Sequence, residues 1–337
     1  MEKTRELRAG GMILRVRCGY IGTVIILCAI ALRIAFGGVV VDEEKFAAFL
    51  TYFYTGKKVT LTTPETYPPT TEETEPTIFQ ETEAPLQISL REGLSIEYKN
   101  DTAYDIPLEE LLKTPLDWDL TGGKPCVLIV HTHATESYKN TGQYTESDPY
   151  RTTEEGHNML AVGDRLAEIL IAGGISVIHD RTLHDYPTYS TAYANARETI
   201  QRYLAENENI CLVLDIHRDA VADGKGNQLA MTTTIDGIKT AKLELVVGTD
   251  TGGQHHPEWR KNAALAVKLQ TVLEGMFPGI CRPVIFRSSR YNQDLTNGSL
   301  IVEIGAAGNT MQEALSGVEA LAKTILKLAK GAEVVDN

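Results

Sequence analysis

The sequence lacks a disulfide framework. Its five cysteines, Cys18, Cys28, Cys126, Cys211 and Cys281, form no CxxC pair. Their spacing therefore points neither to a bridged scaffold nor to a thiolate zinc site. Cys126 and Cys211 fall in apolar stretches, where a thiol serves as a small core group. Surplus positive charge is also missing: the formal net charge is −13, which argues against a nucleic-acid binder. No small-x-small cleavage pattern follows the N-terminal apolar run, so a removed signal peptide is not indicated. From Thr62 to Pro85 the composition is reduced largely to Thr, Pro and Glu, and such a stretch cannot bury a core.

What remains is a chain of 337 residues with 43% hydrophobic content, enough for one substantial domain plus extras. Residues 1–18 carry Lys3, Arg5, Arg8, Arg15 and Arg17 against Glu2 and Glu6. Residues 19–41 are apolar but for Thr23 and Arg33, and as a helix they would extend about 35 Å, enough to span a bilayer. Basic residues ahead of the span predict a cytoplasmic N-terminus and a single-pass anchor, with the rest of the chain outside the cytoplasm. Residues 1–41 hold a net +4, which leaves −17 of the overall −13 for the exterior portion. Within a juxtamembrane segment, 42–61, the spacing of Phe46, Phe49, Leu50, Phe53 and Tyr54 predicts a short amphipathic helix. Residues 62–85 form an extended tether whose role is reach, 86–121 an extension packed on the domain, 122–332 the catalytic domain, and 333–337 a tail.

From Gly122 apolar runs alternate with amphipathic ones. Strands are expected at Cys126–Val130, Ile175–His179, Ile210–Ile216, Leu229–Ile235, Leu243–Val247, Val284–Phe286 and Leu300–Val302. Helices are expected at Glu154–Ala172, Thr191–Asn207, Trp259–Met276 and Met311–Ala329. This alternation predicts an α/β fold: a mostly parallel or mixed central sheet with helices on both faces. Ligands in such folds gather at the carboxyl ends of strands.

Three apolar runs end in groups able to bind zinc or move protons. The stretch VLIVHTHATESY passes from strand into His131, His133 and Glu136; LVLDIH runs into His217; SLIVE runs into Glu303. Catalytic zinc is held by three His, Glu or Asp ligands and keeps an open position for water. The bound water becomes acidic enough to attack at neutral pH, and a carboxylate outside the ligand set carries its proton to the leaving amine. His133, Glu136 and His217 are the candidate ligands and Glu303 the candidate catalytic acid/base, an order also used by zinc carboxypeptidases. His131 stands as the alternative to His133, and Glu154 as the alternative to Glu136; its other role is favourable charge at the start of the first helix. His157 reads as structural. His179 and His184 flank the polar Asp180-Arg181 pair. Arg287, Asn292 and His256 are candidate substrate contacts, His256 from the Gly-rich loop GTDTGGQHHPEW and the other two from the segment before the Glu303 strand.

VLIVHTHATESY, HDRTLHDYPTYSTAYANAR, LVLDIHRDA, GTDTGGQHHPEWRKN and YNQDLTNGSLIVEIGAAGNT, in that order, resemble stage II sporulation protein P from roughly Leu86 to Ala329. The resemblance implies a membrane-anchored, zinc-dependent N-acetylmuramoyl-L-alanine amidase that hydrolyses peptidoglycan, also cuts peptide cross-links, and acts during engulfment in sporulation. It implies a stage II sporulation protein D-like lytic transglycosylase as partner. The VEIG segment is similar to the catalytic-glutamate segment of the broader zinc amidases, which carries over Glu303 as catalytic and His217 as ligand. Those amidases place one His after a Gly-rich turn, whereas this chain has His131-Thr132-His133, and the first-ligand choice stays open. A pure peptidase and a non-catalytic wall-binding scaffold are the alternative functions.

Overall fold

The computed structural model describes residues 5–9, 12–16, 88–89, 96–120, 123–331 and 334–335. The expected membrane span 19–41, juxtamembrane helix and tether 62–85 lie outside the described residues. Among the described residues no helix is long and apolar enough to cross a membrane. The chain divides into two units, residues 1–80 and 81–337. In the first, Arg5–Ala9 pairs antiparallel with Met12–Val16.

In the second unit a seven-stranded sheet organises everything else. Its strands are β1 (Tyr98–Asn100), β2 (Val127–Val130), β3 (Val177–His179), β4 (Leu212–Asp219), β7 (Leu243–Gly248), β8 (Val284–Arg287) and β9 (Ser299–Ala306). A separate antiparallel hairpin joins β5 (Thr232–Ile235) to β6 (Ile238–Ala241). The order across the sheet is β1-β8-β7-β9-β4-β2-β3. Every neighbouring pair is parallel except β7 with β9. The helices are α1 (Leu108–Lys113), α2 (Met159–Ala172), α3 (Ala192–Glu206), α4 (Trp259–Met276) and α5 (Met311–Ala329).

The period-2 pattern of the central strands fixes what lies on each face. Val127 and Ile129 join one apolar cluster with residues of α2, α4 and α5, while Leu128 and Val130 join a second with Ile200 of α3. On β4, Leu212, Leu214 and Ile216 point into the first cluster and Val213 into the second. Asp215 and His217 share the parity of Val213 and so face the α3 side. On β9, Leu300, Val302 and Ile304 belong to the first cluster, which turns Glu303 to the side of His217.

The expected α/β architecture is present, with helices on both faces. Several bounds differ. The helix expected from Glu154 begins at Met159, because Asn158 caps it: the Asn158 side chain accepts the Leu160 N–H, and Glu154 sits in extended backbone before a 3-10 turn. The helix-start role for Glu154 is therefore overturned. Strands β4 and β9 each run eight residues and continue past His217 and Glu303. The extension ahead of residue 122 does more than pack on the domain, since β1 completes the sheet as its edge strand beside β8.

Candidate active site

Site geometry begins with register. In the β4–β9 pairing, His217 stands directly opposite Glu303, and in the β7–β9 pairing Glu244 stands opposite Glu303 from the other side. Side chains paired in this way share a face, so the imidazole and the carboxyl are neighbours by construction. The His-Thr-His segment leaves β2 beside β4 and is tied to it: Thr132 donates through its backbone N–H (2.7 Å) and its hydroxyl (2.6 Å) to the two oxygens of Asp215. That tie brings His133 against His217, with ring centroids 5.3 Å apart and planes at 90°. Glu136 follows one turn later, and its Oε2 lies 3.7 Å from His217 Nδ1. The structure thus brings His133, Glu136, His217 and Glu303 together.

Three atoms of this cluster are buried with no hydrogen-bond partner: His133 Nδ1, His217 Nε2 and Glu303 Oε2. His217 Nε2 lies 2.8 Å from Asp215 Oδ1 but out of line for a hydrogen bond, so the contact is one of charge. Orphaned buried polar atoms are costly and uncommon, and their concentration in one place marks a site that expects something more. Among the described residues no three His, Cys, Asp or Glu donors are already gathered as a metal shell. The donor set nonetheless fits zinc in kind: two imidazoles and a carboxylate, each imidazole with a ring nitrogen that makes no hydrogen bond, and acidic groups in excess.

Electrostatics follow from burial and from that excess. Burial disfavours a charged His217, but Asp215, Glu136 and Glu303 overcome it and raise its pKa to about 10. Burial lowers His133 to about 4, with His217 adding to the shift. Burial raises Glu303 to about 8; His217 opposes this, and Glu136, Asp219 and Glu244 add to it.

Of the residues that hold Glu136, Arg218 follows His217 in the LVLDIHRDA stretch, and Arg151 has no counterpart among the sequence expectations. Arg151 Nη2 donates to Glu136 Oε1 at 3.2 Å, while its Nη1 donates to Asp185 Oδ2 at 2.7 Å. The Arg218 backbone N–H reaches Glu136 Oε2 at 3.3 Å, and its side chain is fixed on the Ser137 and Tyr150 carbonyls, each at 3.0 Å. Asp185 also receives the Thr135 hydroxyl at 2.5 Å. Tyr189 stacks on His133 with centroids 4.5 Å apart, and Tyr193 meets the same imidazole edge-on at 5.5 Å. The HDRTLHDYPTYSTAYANAR stretch, which holds Asp185, Tyr189 and Tyr193, was the available sequence signal; nothing local marks Arg151.

His131 takes another place. Its Nδ1 donates to the Ile216 carbonyl at 2.9 Å, and its Nε2 stands 2.9 Å from His179 Nε2, so both ring nitrogens are engaged. His184 braces the same backbone, its Nδ1 donating to the His131 carbonyl at 2.9 Å. Glu154 is exposed and accepts the Thr145 N–H at 2.9 Å. Among the candidate substrate contacts, Arg287 is paired with Asp101 at 2.5 Å. His256 is buried near Asn262, at 3.4 Å. Asn292, at φ 61, donates to the Tyr193 carbonyl at 2.8 Å. His157, read as structural, stacks on Tyr144 at 5.1 Å.

The sequence profile of Stage II sporulation protein P (SpoIIP) matches residues 48–326. The chain belongs to that family. A relative, Stage II sporulation protein P of Bacillus subtilis (strain 168), is 30% identical over 229 residues. The match covers 64% of this chain and 54% of the relative, so this SpoIIP chain spans about half the length of that protein. Among solved structures, the chain is similar to the N-acetylmuramoyl-L-alanine amidase AmiC2 of Nostoc punctiforme, with 16% identity, TM-score 0.38, and coverage of 62% of this chain and 98% of that one. It is also similar to the N-acetylmuramyl-L-alanine amidase Ami1 from Mycobacterium smegmatis, with 13% identity, TM-score 0.37, and coverage of 63% and 98%.

Proposed function

We propose that this SpoIIP family member is a zinc-dependent peptidoglycan hydrolase acting in sporulation, and that it cleaves the amide between the glycan's lactyl group and L-alanine of the stem peptide. The observation that carries the reading is the buried meeting of His133, Glu136, His217 and Glu303, with His133 Nδ1 and Glu303 Oε2 left without hydrogen-bond partners and His217 Nε2 facing only the Asp215 carboxylate. His133, Glu136 and His217 would hold the zinc. When bound, zinc supplies Lewis-acid polarisation of the scissile carbonyl and an acidified water. His131 is less suited as a ligand because both its ring nitrogens already have partners.

The chain's own residues do the rest. Arg151 and Arg218 hold the Glu136 carboxylate in one orientation. Asp215, anchored by Thr132, fixes the His217 ring at 2.8 Å. Glu303 takes the proton of the attacking water and hands it to the departing amine. Its place opposite His217 supports that role. The anchor at 19–41 and the tether at 62–85 rest on composition, and a stage II sporulation protein D-like partner rests on the resemblance alone; together they describe a hydrolase that works outside the cytoplasm at a membrane.

Purified full chain is expected to carry about one zinc and to release soluble products from sacculi. Glu303→Gln is expected to lose at least about a hundredfold in rate while keeping its zinc, and His217→Ala to lose zinc as measured by elemental analysis. Mass spectrometry of the digest reads the bond: free stem peptides identify amidase cleavage, and muropeptides with trimmed stems identify a peptidase instead. Full wall-degrading activity in Glu303→Gln would refute the mechanism, and sacculus binding without hydrolysis by the zinc-loaded protein would favour a scaffold.

A further inference from the structure

The segment between β3 and α3 brings bare aromatic surface to the edge of the site. Tyr186 and Tyr189 each leave 56% of their surface exposed. They are carried on a segment with firm anchors. His184, buried, donates from Nδ1 to the His131 carbonyl at 2.9 Å and stands 3.0 Å from the Thr199 hydroxyl. Asn195 donates to the His184 carbonyl at 2.8 Å. Thr182 N–H closes on Asp180 at 3.1 Å.

The Tyr189 ring lies nearly parallel to the His133 imidazole, at 9°, and the Arg151 guanidinium carbon is 4.7 Å from the same ring's centroid. His133 is 8% exposed and the Arg151 side chain 16%, whereas Tyr189 is more than half bare. The tyrosine therefore covers both groups and turns surface outward to solvent. Tyr189 thus offers a half-bare aromatic face directly over the buried cluster, on a segment braced against the His-Thr-His backbone.

Charge narrows the kind of ligand. Arg151 is engaged by Glu136 and Asp185. Arg218 is engaged by the Ser137 and Tyr150 carbonyls. Arg181 is engaged by Glu155 and Asp164. These guanidiniums are thus committed to the protein, and none is held open for the carboxylates of a stem peptide. What the surface offers is a flat, uncharged face with a hydroxyl at its tip, which suits the C–H face of a neutral sugar ring.

We propose that Tyr189, with Tyr186 on the same braced segment, forms a glycan-stacking ledge that receives a pyranose ring of the wall polymer beside His133. This rests on the hydrolase reading and deepens it by assigning the sugar side of the substrate to the Tyr189 side of the site.

The test uses full-length protein and two probes. One is a tetramer of β-1,4-linked N-acetylglucosamine, which has sugar faces and no peptide, titrated by calorimetry; the other is intact sacculi, for KM and kcat. Tyr189→Ala and Tyr189→Leu are expected to weaken tetramer binding and to raise KM by about three- to tenfold, with a smaller change in kcat. Tyr189→Phe, which keeps the ring, is expected to bind as the parent does. Thermal unfolding of each variant separates loss of the ledge from loss of the fold, and the leucine variant keeps the side chain's bulk over His133. Unchanged tetramer affinity in folded Tyr189→Ala or Tyr189→Leu would overturn the ledge, as would a parent protein that hydrolyses sacculi but does not bind the tetramer. A parent that binds the tetramer through Tyr189 yet releases nothing from sacculi would leave the ledge standing and remove the hydrolase reading.

Discussion

Gly163, in the second turn of α2, shows how much a single residue controls. A Cβ there would come within about 2.5 Å of the facing ring nitrogens of His131 and His179. Those two imidazoles meet at 2.9 Å against the helix, and His179 Nδ1 continues to Asp164 at 3.1 Å. His131 Nδ1 donates to a carbonyl, which leaves its Nε2 an acceptor; a neutral His179 donates either to it or to Asp164, not to both, and the packed pair forms a strut under the His-Thr-His segment. In a helix interior alanine is favoured over glycine by about 1 kcal/mol. Here Gly163→Ala is expected to cost about 1–3 kcal/mol, because the rings cannot both stay where they are. Denaturant unfolding measures it, and a stabilised variant would show that the imidazoles do not press on α2. His131, His133, His217 and Glu303 were all legible in the sequence as chemistry-bearing groups at strand ends. Which histidine carries the strut and which faces His217 was not, because both follow one apolar run and only their partners on α2, β3 and β4 distinguish them.

At the scale of elements, the ends that matched expectation are those with strong local signals. Helix α5 runs over the expected Met311–Ala329, and it opens with a full capping box in which Thr310 accepts the Glu313 N–H at 3.2 Å and Glu313 accepts the Thr310 N–H at 3.1 Å. Thr310→Ala is expected to cost about 1 kcal/mol by chemical denaturation. An unchanged midpoint would mean that the helix start is held by Asn309 instead, whose Oδ1 takes the Ala306 and Met231 N–H groups at 2.8 and 3.0 Å. Helix α2 begins at Met159, five residues after the expected Glu154, because Asn158 caps it and Glu155–His157 form a separate 3-10 turn. The hairpin partner β6 went unread. Its IKTA sequence has one strong apolar side chain, and it becomes a strand through a tight turn at Asp236 and Gly237, with φ of 50 and 81, and pairing with β5. Edge strand β1, three exposed residues long, exists only because β8 is there to pair with it.

For the whole molecule, the centre of the sheet carries a stability cost that depends on pH. Glu244, in β7, is buried opposite Glu303, and although Arg282 Nη2 lies 2.9 Å away, Glu244 Oε1 has no hydrogen bond. Burial raises its pKa to about 7 against Arg282, from its ordinary 4.5. A carboxyl whose pKa is raised on folding binds its proton more tightly in the folded state. It therefore withdraws stability as pH rises from about 4.5, and the loss is complete above about 7. Glu244→Gln is expected to match the parent near pH 4 and to gain over it across that window, by up to on the order of 3 kcal/mol. Denaturation curves at pH 4, 6 and 8 test this, and a gap that does not widen with pH would show that Glu244 is not the group responsible. By itself the sequence determined the α/β alternation, the run of helices and strands from Gly122, the family, and the identity of the candidate donors, because periodicity, capping and motif order are local properties of the chain. Tertiary structure decided the single antiparallel junction between β7 and β9, the face shared by His217 and Glu303, the Arg151 and Arg218 hold on Glu136, and the exposure of Tyr189. Those depend on register between segments far apart in the chain, which only packing of the whole sheet can set.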